Sequence, residues 1–132
     1  MGFMAYSPLG RGMLTGRIRR FEDLPPSDFR RVSPRFQGEN FQRNLDLVDH
    51  VTALASAKGV EPAQLALAWI LARSPSVVAI FGTRRQTNLR SNLAALDVDL
   101  SPEELARIDE IAPKGAAAGD AWPAEFMDQL NR

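Results

Sequence analysis

The chain has 132 residues, 45% of them hydrophobic, and its 16 basic and 16 acidic residues cancel; this predicts one small domain and does not favour a nucleic-acid or membrane partner. The lack of cysteine and the single histidine exclude disulfides, thiolate chemistry and a histidine-rich metal site. No apolar run approaches the ~18 residues of a membrane span and the N-terminus lacks a signal-peptide pattern, so we expect a cytoplasmic protein.

The chain begins with a short apolar run. Residues 2–6, GFMAY, predict a β-strand, and the glycine- and proline-containing residues after it, SPLGRG, predict a loop. A core strand at the very start of the chain has two interpretations. It is either a native N-terminal strand or a strand from the middle of a larger fold.

Residues 13–40 predict a long loop rich in arginine and proline. Arginines at positions 17, 19, 20, 30, 31 and 35 are only partly balanced by acidic residues. Phenylalanines at positions 21, 29, 36 and 41 alternate with them, a pattern that could stack on and clamp a polyanion. Because the rest of the chain is not basic, we do not expect a nucleic-acid partner.

A helix is predicted from Asn44 to Lys58, because its apolar residues gather on one wide face that includes Leu45, Val48 and Val51. The sole histidine, His50, falls on the opposite, solvated face beside two carboxylates. A surface histidine is therefore favoured over a catalytic base.

A second helix is predicted from Glu61-Pro62 to about Arg73, with proline at its favoured first position. Its body, AQLALAWILA, is apolar nearly all round and must be covered on every side. Trp69 is expected in the core.

The stretch from residue 77 to residue 92, VVAIFGTRRQTNLRSN, is the most informative part of the sequence. Its first five residues predict a strand buried on both faces, ended by Gly82. Thr83 and Gln86 have the spacing of a capping box that opens a helix. Backbone N–H groups and the positive end of the helix dipole would then face one spot, which suits an anion.

Arg84 and Arg85 strengthen that interpretation. Cations are poorly placed in the first turn of a helix, so two arginines there suggest a phosphate or an acidic neighbour. The alternative is a solvated basic turn.

The remaining residues predict two further helical segments and a tail. The helix after Gly82 should end near Leu96, and Ser101-Pro102-Glu103-Glu104 is a strong start for another that stops before Pro113. Residues 114–132 form a C-terminal tail with small residues and a short helix that carries Trp122, Phe126 and Leu130.

Strand, loop, two helices, strand and two helices is an α/β order with two parallel strands and about four helices. Two parallel strands do not make an independently stable sheet. We therefore expect the C-terminal part of a larger α/β fold, capable of self-association through exposed strand edges.

Three segments carry a family resemblance: AYSPLGRGMLTGRI, DFRRVSPRFQGENFQRNLDLV, and KGVEPAQLALAWILARSPSVVAIFGTRRQTNLRSNLAALDVDLSPEELARIDEIAP. Together they resemble the C-terminal half of aldo-keto reductases, NADPH-dependent (β/α)8-barrel carbonyl reductases. The resemblance covers essentially residues 1–132 as a single partial barrel domain. It implies that the two strands are barrel strands seven and eight, with the site at their carboxyl ends.

The resemblance also implies a role for individual residues toward NADP. Tyr6 matches the residue stacked on the nicotinamide, and Thr83 and Arg84 match those that hold the 2′-phosphate, with Gly82 at the turn and Arg85 assisting. The loop along the pyrophosphate corresponds to Ser7, Leu9, Gly10 and Arg11. Asn92 matches the asparagine facing adenine, and Asn88 lies one turn earlier; Ser91 departs from the glutamate or glutamine usual beside that asparagine.

The resemblance places the Asp, Tyr, Lys and His catalytic set in the half that this chain lacks, and Tyr6, the only tyrosine, matches the stacking position. We therefore expect no catalytic residue and no metal site here, and a carbonyl substrate only in a complete barrel. Two alternatives stay open: a non-catalytic binding or interaction module, and a truncated gene product without its own activity.

Overall fold

The fold is described by a computed structural model that covers residues 1–127. Strand β1, Phe3–Tyr6, pairs in parallel with strand β2, Val77–Ile80, so that Phe3 lies opposite Val77 and Tyr6 opposite Ile80. Both predicted strands are confirmed. Strand β1 begins one residue later than predicted, and strand β2 ends one residue earlier. Because the strands are parallel, their carboxyl ends meet at the same edge of the sheet.

Five α-helices lie in the described residues. They are α1, Gly38–Lys58; α2, Pro62–Leu71; α3, Gln86–Leu93; α4, Pro102–Ile111; and α5, Ala124–Met127. Short 3-10 helices occupy Gly10–Thr15, Phe21–Asp23, Phe29–Val32, Pro34–Phe36 and Ala94–Asp97. The helix that was expected to end near Leu96 is α-helical only to Leu93 and continues as the last of these 3-10 helices.

Helix α1 begins at Gly38, six residues before the predicted start, because Phe41 and Asn44 are buried and extend its inward face. The predicted apolar face is confirmed by the buried side chains of Leu45, Val48 and Val51. The helix ends at Gly59, whose φ of 76° is the left-handed conformation typical of a helix C-cap. This helix forms one wall of the core.

Residues 13–40, predicted as one long loop, contain short 3-10 helices and supply part of the core. Ile18, Leu24 and Phe36 pack with Phe41 and Leu45 of α1 in one apolar cluster. Phe36 and Phe41 stack on each other with ring centroids 6.1 Å apart, so they are not free to stack on a nucleic acid. The segment has no helical periodicity, and it is held in place because its apolar side chains are buried against α1.

Helices α2 and α4 start as predicted. The Glu61 N–H donates to Gln64 Oε1, and Ser101 Oγ accepts from the Glu104 N–H, which satisfies backbone groups at each helix start. Leu65 of α2 packs with Val51, Ala55 and Ile108 in a second cluster. Trp69 is half-buried rather than fully in the core, because its indole N–H donates to Asp109 Oδ1 at 2.8 Å.

The sheet departs from the expectation of strands buried on both faces. Phe3, Met4 and Tyr6 of β1 are 65–69% exposed, and Val78 and Ile80 of β2 are 57% and 43% exposed. Helix α2 packs against β2, and residues 1–127 supply no third strand to cover the rest. The strands are therefore apolar enough to be buried on both faces, but the described residues leave much of their surface exposed.

The tail returns across α1 and is fastened there by Asn44. The Ala118 N–H donates to Asn44 Oδ1 at 2.8 Å, and Asn44 Nδ2 donates to the Ala118 carbonyl at 2.9 Å. Phe126 belongs to α5, whereas the predicted apolar residue Leu130 lies outside the described residues. Within those residues, no helix has the length and apolar content needed to cross a membrane.

Candidate functional site

A cleft of about 780 Å³ opens at the carboxyl ends of β1 and β2. Its walls are the loop after β1, the turn after β2, the start of α2 and one face of α3. Nine of the ten residues predicted from the sequence line it: Tyr6, Ser7, Leu9, Arg11, Gly82, Thr83, Arg84, Asn88 and Asn92. The tenth, Gly10, belongs to the same loop but does not line the cleft.

The loop after β1 is tightly coiled. Ser7 and Arg11 have positive φ values of 51° and 57°, and Gly10 and Gly12 have 56° and 93°. Non-glycine residues are uncommon in this conformation, and such local strain persists only where surrounding contacts impose it. One of these contacts is the Arg30 guanidinium, which donates from Nη1 to the Arg11 carbonyl at 2.9 Å.

The Arg11 side chain is held by the long loop and the tail. Its Nη1 donates to Ser33 Oγ at 3.2 Å, and its guanidinium carbon lies 4.3 Å from the Trp122 ring centroid and 5.5 Å from that of Phe29. These cation–π contacts fix the direction of the guanidinium. Arg11 is thus positioned at the cleft wall by residues far along the chain.

Arg30 is fixed in turn by Asp28. Arg30 Nη2 lies 2.6 Å from Asp28 Oδ2, and Arg30 Nε donates to Oδ1 at 2.9 Å. These hydrogen bonds from Arg30 lower the pKa of the Asp28 carboxyl to about 2. The pair stays charged over the physiological pH range and braces the loop after β1.

The turn after β2 differs from the predicted capping box. Helix α3 starts at Gln86 with Arg85 at the N-cap, and Thr83 lies outside the helix. Thr83 Oγ1 accepts instead from the Arg85 N–H at 3.3 Å, a local turn that competes with capping by the same hydroxyl. Arg84 and Arg85 are exposed at the cleft, and among residues 1–127 neither forms an ion pair.

Helix α3 presents its two predicted asparagines to the cleft in different ways. Asn92 is 8% exposed, whereas Asn88 Oδ1 accepts from Arg17 Nη1 at 3.1 Å. Arg17 belongs to the segment after β1, so this hydrogen bond connects the two walls of the cleft. The Glu61 carboxylate stands nearby, where its Oε2 accepts from the Ser91 hydroxyl at 2.8 Å.

The cleft is strongly cationic. Among residues 1–127, arginines 11, 17, 30, 84 and 85 line it, and Glu61 contributes the one carboxylate. A concave site with this charge favours an anionic ligand. His50 is exposed on α1 and does not line the cleft, in agreement with its predicted surface position.

Sequence reasoning did not identify Arg17, Arg30 and Glu61 as cleft residues. The first two lie in the arginine-rich segment, whose excess positive charge was visible, but the partner of Arg17 is 71 residues away. Glu61 was interpreted only as a helix start. No local pattern marks any of the three as a site residue.

The sequence model of the aldo/keto reductase family matches residues 1–113 of the chain. The chain belongs to this family. The match covers both strands, the cleft and helices α1 to α4, so the resemblance carried by the three sequence segments is confirmed at the level of the family.

Two curated relatives are similar over most of the chain. An aldo-keto reductase of Schizosaccharomyces pombe, yakc [NADP(+)], is 42% identical over 120 residues, which is 91% of this chain and 35% of that protein. Aldo-keto reductase str7 of Strobilurus tenacellus is 39% identical over 117 residues, 89% of this chain and 35% of its own length. The chain thus spans about a third of the length of these relatives.

A solved structure supports the same fold. The glycerol dehydrogenase AKR11B4 from Gluconobacter oxydans superposes with a TM-score of 0.75 at 31% identity, over 86% of this chain and 34% of that one. The two parallel strands and their helices therefore match a part of an aldo/keto reductase. The family is one of oxidoreductases.

Proposed function

We propose that the cleft is the NADP(H) site of an aldo-keto reductase barrel and that this chain corresponds to the C-terminal portion of that barrel. The single observation that supports this most is that nine residues which the family resemblance assigns to the cofactor line one cleft. They come from two segments about 70 residues apart in sequence, and a solvated basic turn would not require them to meet.

The residues in the cleft fit the chemistry of this cofactor. NADP carries a pyrophosphate and a 2′-phosphate, and five arginines with hydroxyl and amide side chains provide charge and hydrogen-bond donors for them. Tyr6, 65% exposed at the end of β1, offers an aromatic face for a planar ring. A relative of this chain bears NADP(+) in its name.

We assign the subsites as follows. Tyr6 stacks on the nicotinamide, and the loop of Ser7, Leu9, Gly10 and Arg11 runs along the pyrophosphate. Thr83 and Arg84 hold the 2′-phosphate, with Arg85 assisting and Gly82 giving room at the turn. Asn88 and Asn92 face the adenine.

The reaction we propose for the complete barrel is the NADPH-dependent reduction of aldehydes or ketones, in which the cofactor supplies hydride. This chain alone is not catalytic, because proton transfer to the carbonyl oxygen needs a donor beside the nicotinamide. The one histidine is outside the cleft, and Tyr6 serves the stacking role. A carbonyl substrate therefore binds only where further strands complete the pocket.

Titration of the chain with NADP and NAD tests the assignment of Arg84. We expect NADP to bind at least about tenfold more tightly, and Arg84→Ala to remove most of that preference, since a charged hydrogen bond contributes about 1.5–3 kcal/mol. Arg43→Ala is the matched control, because Arg43 is an exposed arginine on α1 away from the cleft. Equal affinity of the wild-type chain for the two dinucleotides would refute the 2′-phosphate site.

A second candidate function is that of an interaction module. The exposed Phe3, Met4, Val78 and Ile80 make an apolar sheet whose edges have no partner within residues 1–127, and a second copy of the chain could cover it. Sedimentation velocity separates the candidates. A monomer that binds NADP would exclude the second, and a monomer that binds nothing would favour a truncated product without activity.

A further inference from the structure

Glu61 is the one carboxylate that lines the cleft within residues 1–127, and it stands among five arginines. Within residues 1–127, Glu61 forms no ion pair with any of these arginines. Instead, Oε2 accepts a hydrogen bond from the Ser91 hydroxyl of α3 at 2.8 Å. An acidic group in an anion-binding cleft calls for an explanation.

A small network fixes Glu61 relative to α3. Gln64 Nε2 donates to the Ser91 carbonyl at 3.0 Å, while Gln64 Oε1 accepts from the Glu61 N–H at 3.0 Å. Glu61, Gln64 and Ser91 therefore form a closed set that connects the start of α2 to the helix carrying Asn88 and Asn92. The carboxylate is held at that end of the cleft.

Helix capping accounts for only part of this arrangement, since Glu61 is the N-cap of α2 and forms a reciprocal capping box with Gln64. Glu61 precedes Pro62 at the start of α2, where the helix dipole favours a negative group. However, the side chains preferred at such positions are the short ones of Ser, Thr, Asp and Asn. A glutamate that extends to a hydroxyl on another helix points to a second role.

We propose that Glu61 recognises the adenine ring of the dinucleotide by accepting a hydrogen bond from its exocyclic amine, with Ser91 as the positioning residue. The proposal rests on the proposed function of the cleft. Glu61 Oε2 accepts from Ser91, and because a carboxylate has about four acceptor positions, Glu61 keeps acceptor capacity in a cleft that Asn88 and Asn92 also line. The remaining arginine-lined cleft then takes the phosphates.

A base-modified dinucleotide tests this role in the full 132-residue chain. Nicotinamide hypoxanthine dinucleotide phosphate carries a carbonyl oxygen in place of the amine, and it would face the carboxylate acceptor to acceptor. By calorimetry we expect the wild-type chain to bind NADP about tenfold more tightly than this analogue. In Glu61→Gln the ratio should fall to about one, because an amide accepts from an amine and donates to a carbonyl equally well.

Two further variants sharpen the result. Ser91→Ala should lower the ratio to about threefold, since the carboxylate stays but loses its orientation. Glu103→Gln is the matched control, as Glu103 is an exposed glutamate in the first turn of α4 and does not line the cleft. Its ratio should equal that of the wild-type chain.

The outcomes separate the two proposals. An unchanged tenfold ratio in Glu61→Gln, or a ratio near one in the wild-type chain, overturns the role of Glu61 and leaves the cofactor site intact. Failure of the wild-type chain to bind NADP, the analogue and adenosine 2′,5′-bisphosphate overturns both. A ratio measured within one variant is insensitive to a general loss of stability.

Discussion

Arg17 and Asn88 join the two walls of the cleft: Arg17 Nη1 donates to Asn88 Oδ1 at 3.1 Å across 71 residues of sequence. Arg17 lies after β1 and Asn88 lies in α3, so the hydrogen bond closes the cleft at the edge of the parallel sheet. It also places a guanidinium near the proposed phosphate and adenine subsites.

Replacing Arg17 should weaken the binding of the dinucleotide. We expect Arg17→Ala to lower NADP affinity about three- to tenfold, with a smaller dependence of affinity on salt, because one cation is removed from an exposed anion site. Calorimetry at two ionic strengths measures both effects. Arg107→Ala, an exposed arginine on α4, should leave affinity unchanged, and an equal loss in both variants would contradict a local role.

The Asp28–Arg30 pair should make stability depend on pH below the physiological range. Arg30 lowers the folded-state pKa of Asp28 to about 2, below the unfolded value, so the pair stabilises the fold above about pH 4. This contribution, about 1 kcal/mol after solvent screening, is lost as the pH falls from about 4 to 2. Urea unfolding of wild type and Asp28→Asn from pH 6 to below pH 2 measures it, because their difference should shrink below about pH 4 and be lost once the pH falls through about 2, where the folded-state carboxyl takes up its proton.

Arg30→Gln provides the matching variant. It removes the partner of Asp28 and should reproduce the same pH-dependent difference from wild type. A difference between wild type and Asp28→Asn that stays constant from pH 6 to 2 would show that the carboxylate does not act through its charge.

Gly119 should be required for docking of the tail. Its φ is 86°, and a Cβ there would lie 2.9 Å from Asn40 Nδ2 and 3.0 Å from the Pro34 carbonyl oxygen. We expect Gly119→Ala to destabilise the fold by about 2–4 kcal/mol, from backbone strain together with displacement of the tail. Gly115→Ala is a close control with the same φ of 86° and nothing within 4 Å of its Cβ, so it should cost only the strain, about 1–2 kcal/mol. Denaturant unfolding with limited proteolysis of the tail compares the two; equal losses would contradict tight docking.

Charge on the exposed sheet should oppose self-association. If a second copy covers the sheet, Val78→Lys should shift sedimentation toward monomer, because lysine on a strand resists edge and face pairing. Val32→Lys is a close control, since Val32 is 58% exposed and Val78 is 57% exposed. Identical sedimentation of wild type, Val78→Lys and Val32→Lys as monomers would exclude the interaction module.

The sequence by itself determined the local elements. The apolar runs at residues 3–6 and 77–80 predicted both strands, and the helix starts at Pro62 and Pro102 followed from proline and cap chemistry that acts within one turn. The three family segments also identified nine cleft residues without reference to their distances in space. The strands and helix starts follow from interactions between residues close in sequence, and the cleft residues follow from matching residue types in the family segments.

Only the tertiary structure decided the rest. Arg17 meets Asn88, Glu61 meets Ser91 and Asn44 meets Ala118 across 30 to 74 residues, and no periodicity encodes such pairs. The segment from 13 to 40 became ordered because Phe36 is buried against α1, and Thr83 lost the N-cap position to a competing turn. Long-range burial and competing hydrogen bonds depend on what the chain brings together in space, which a single sequence does not specify.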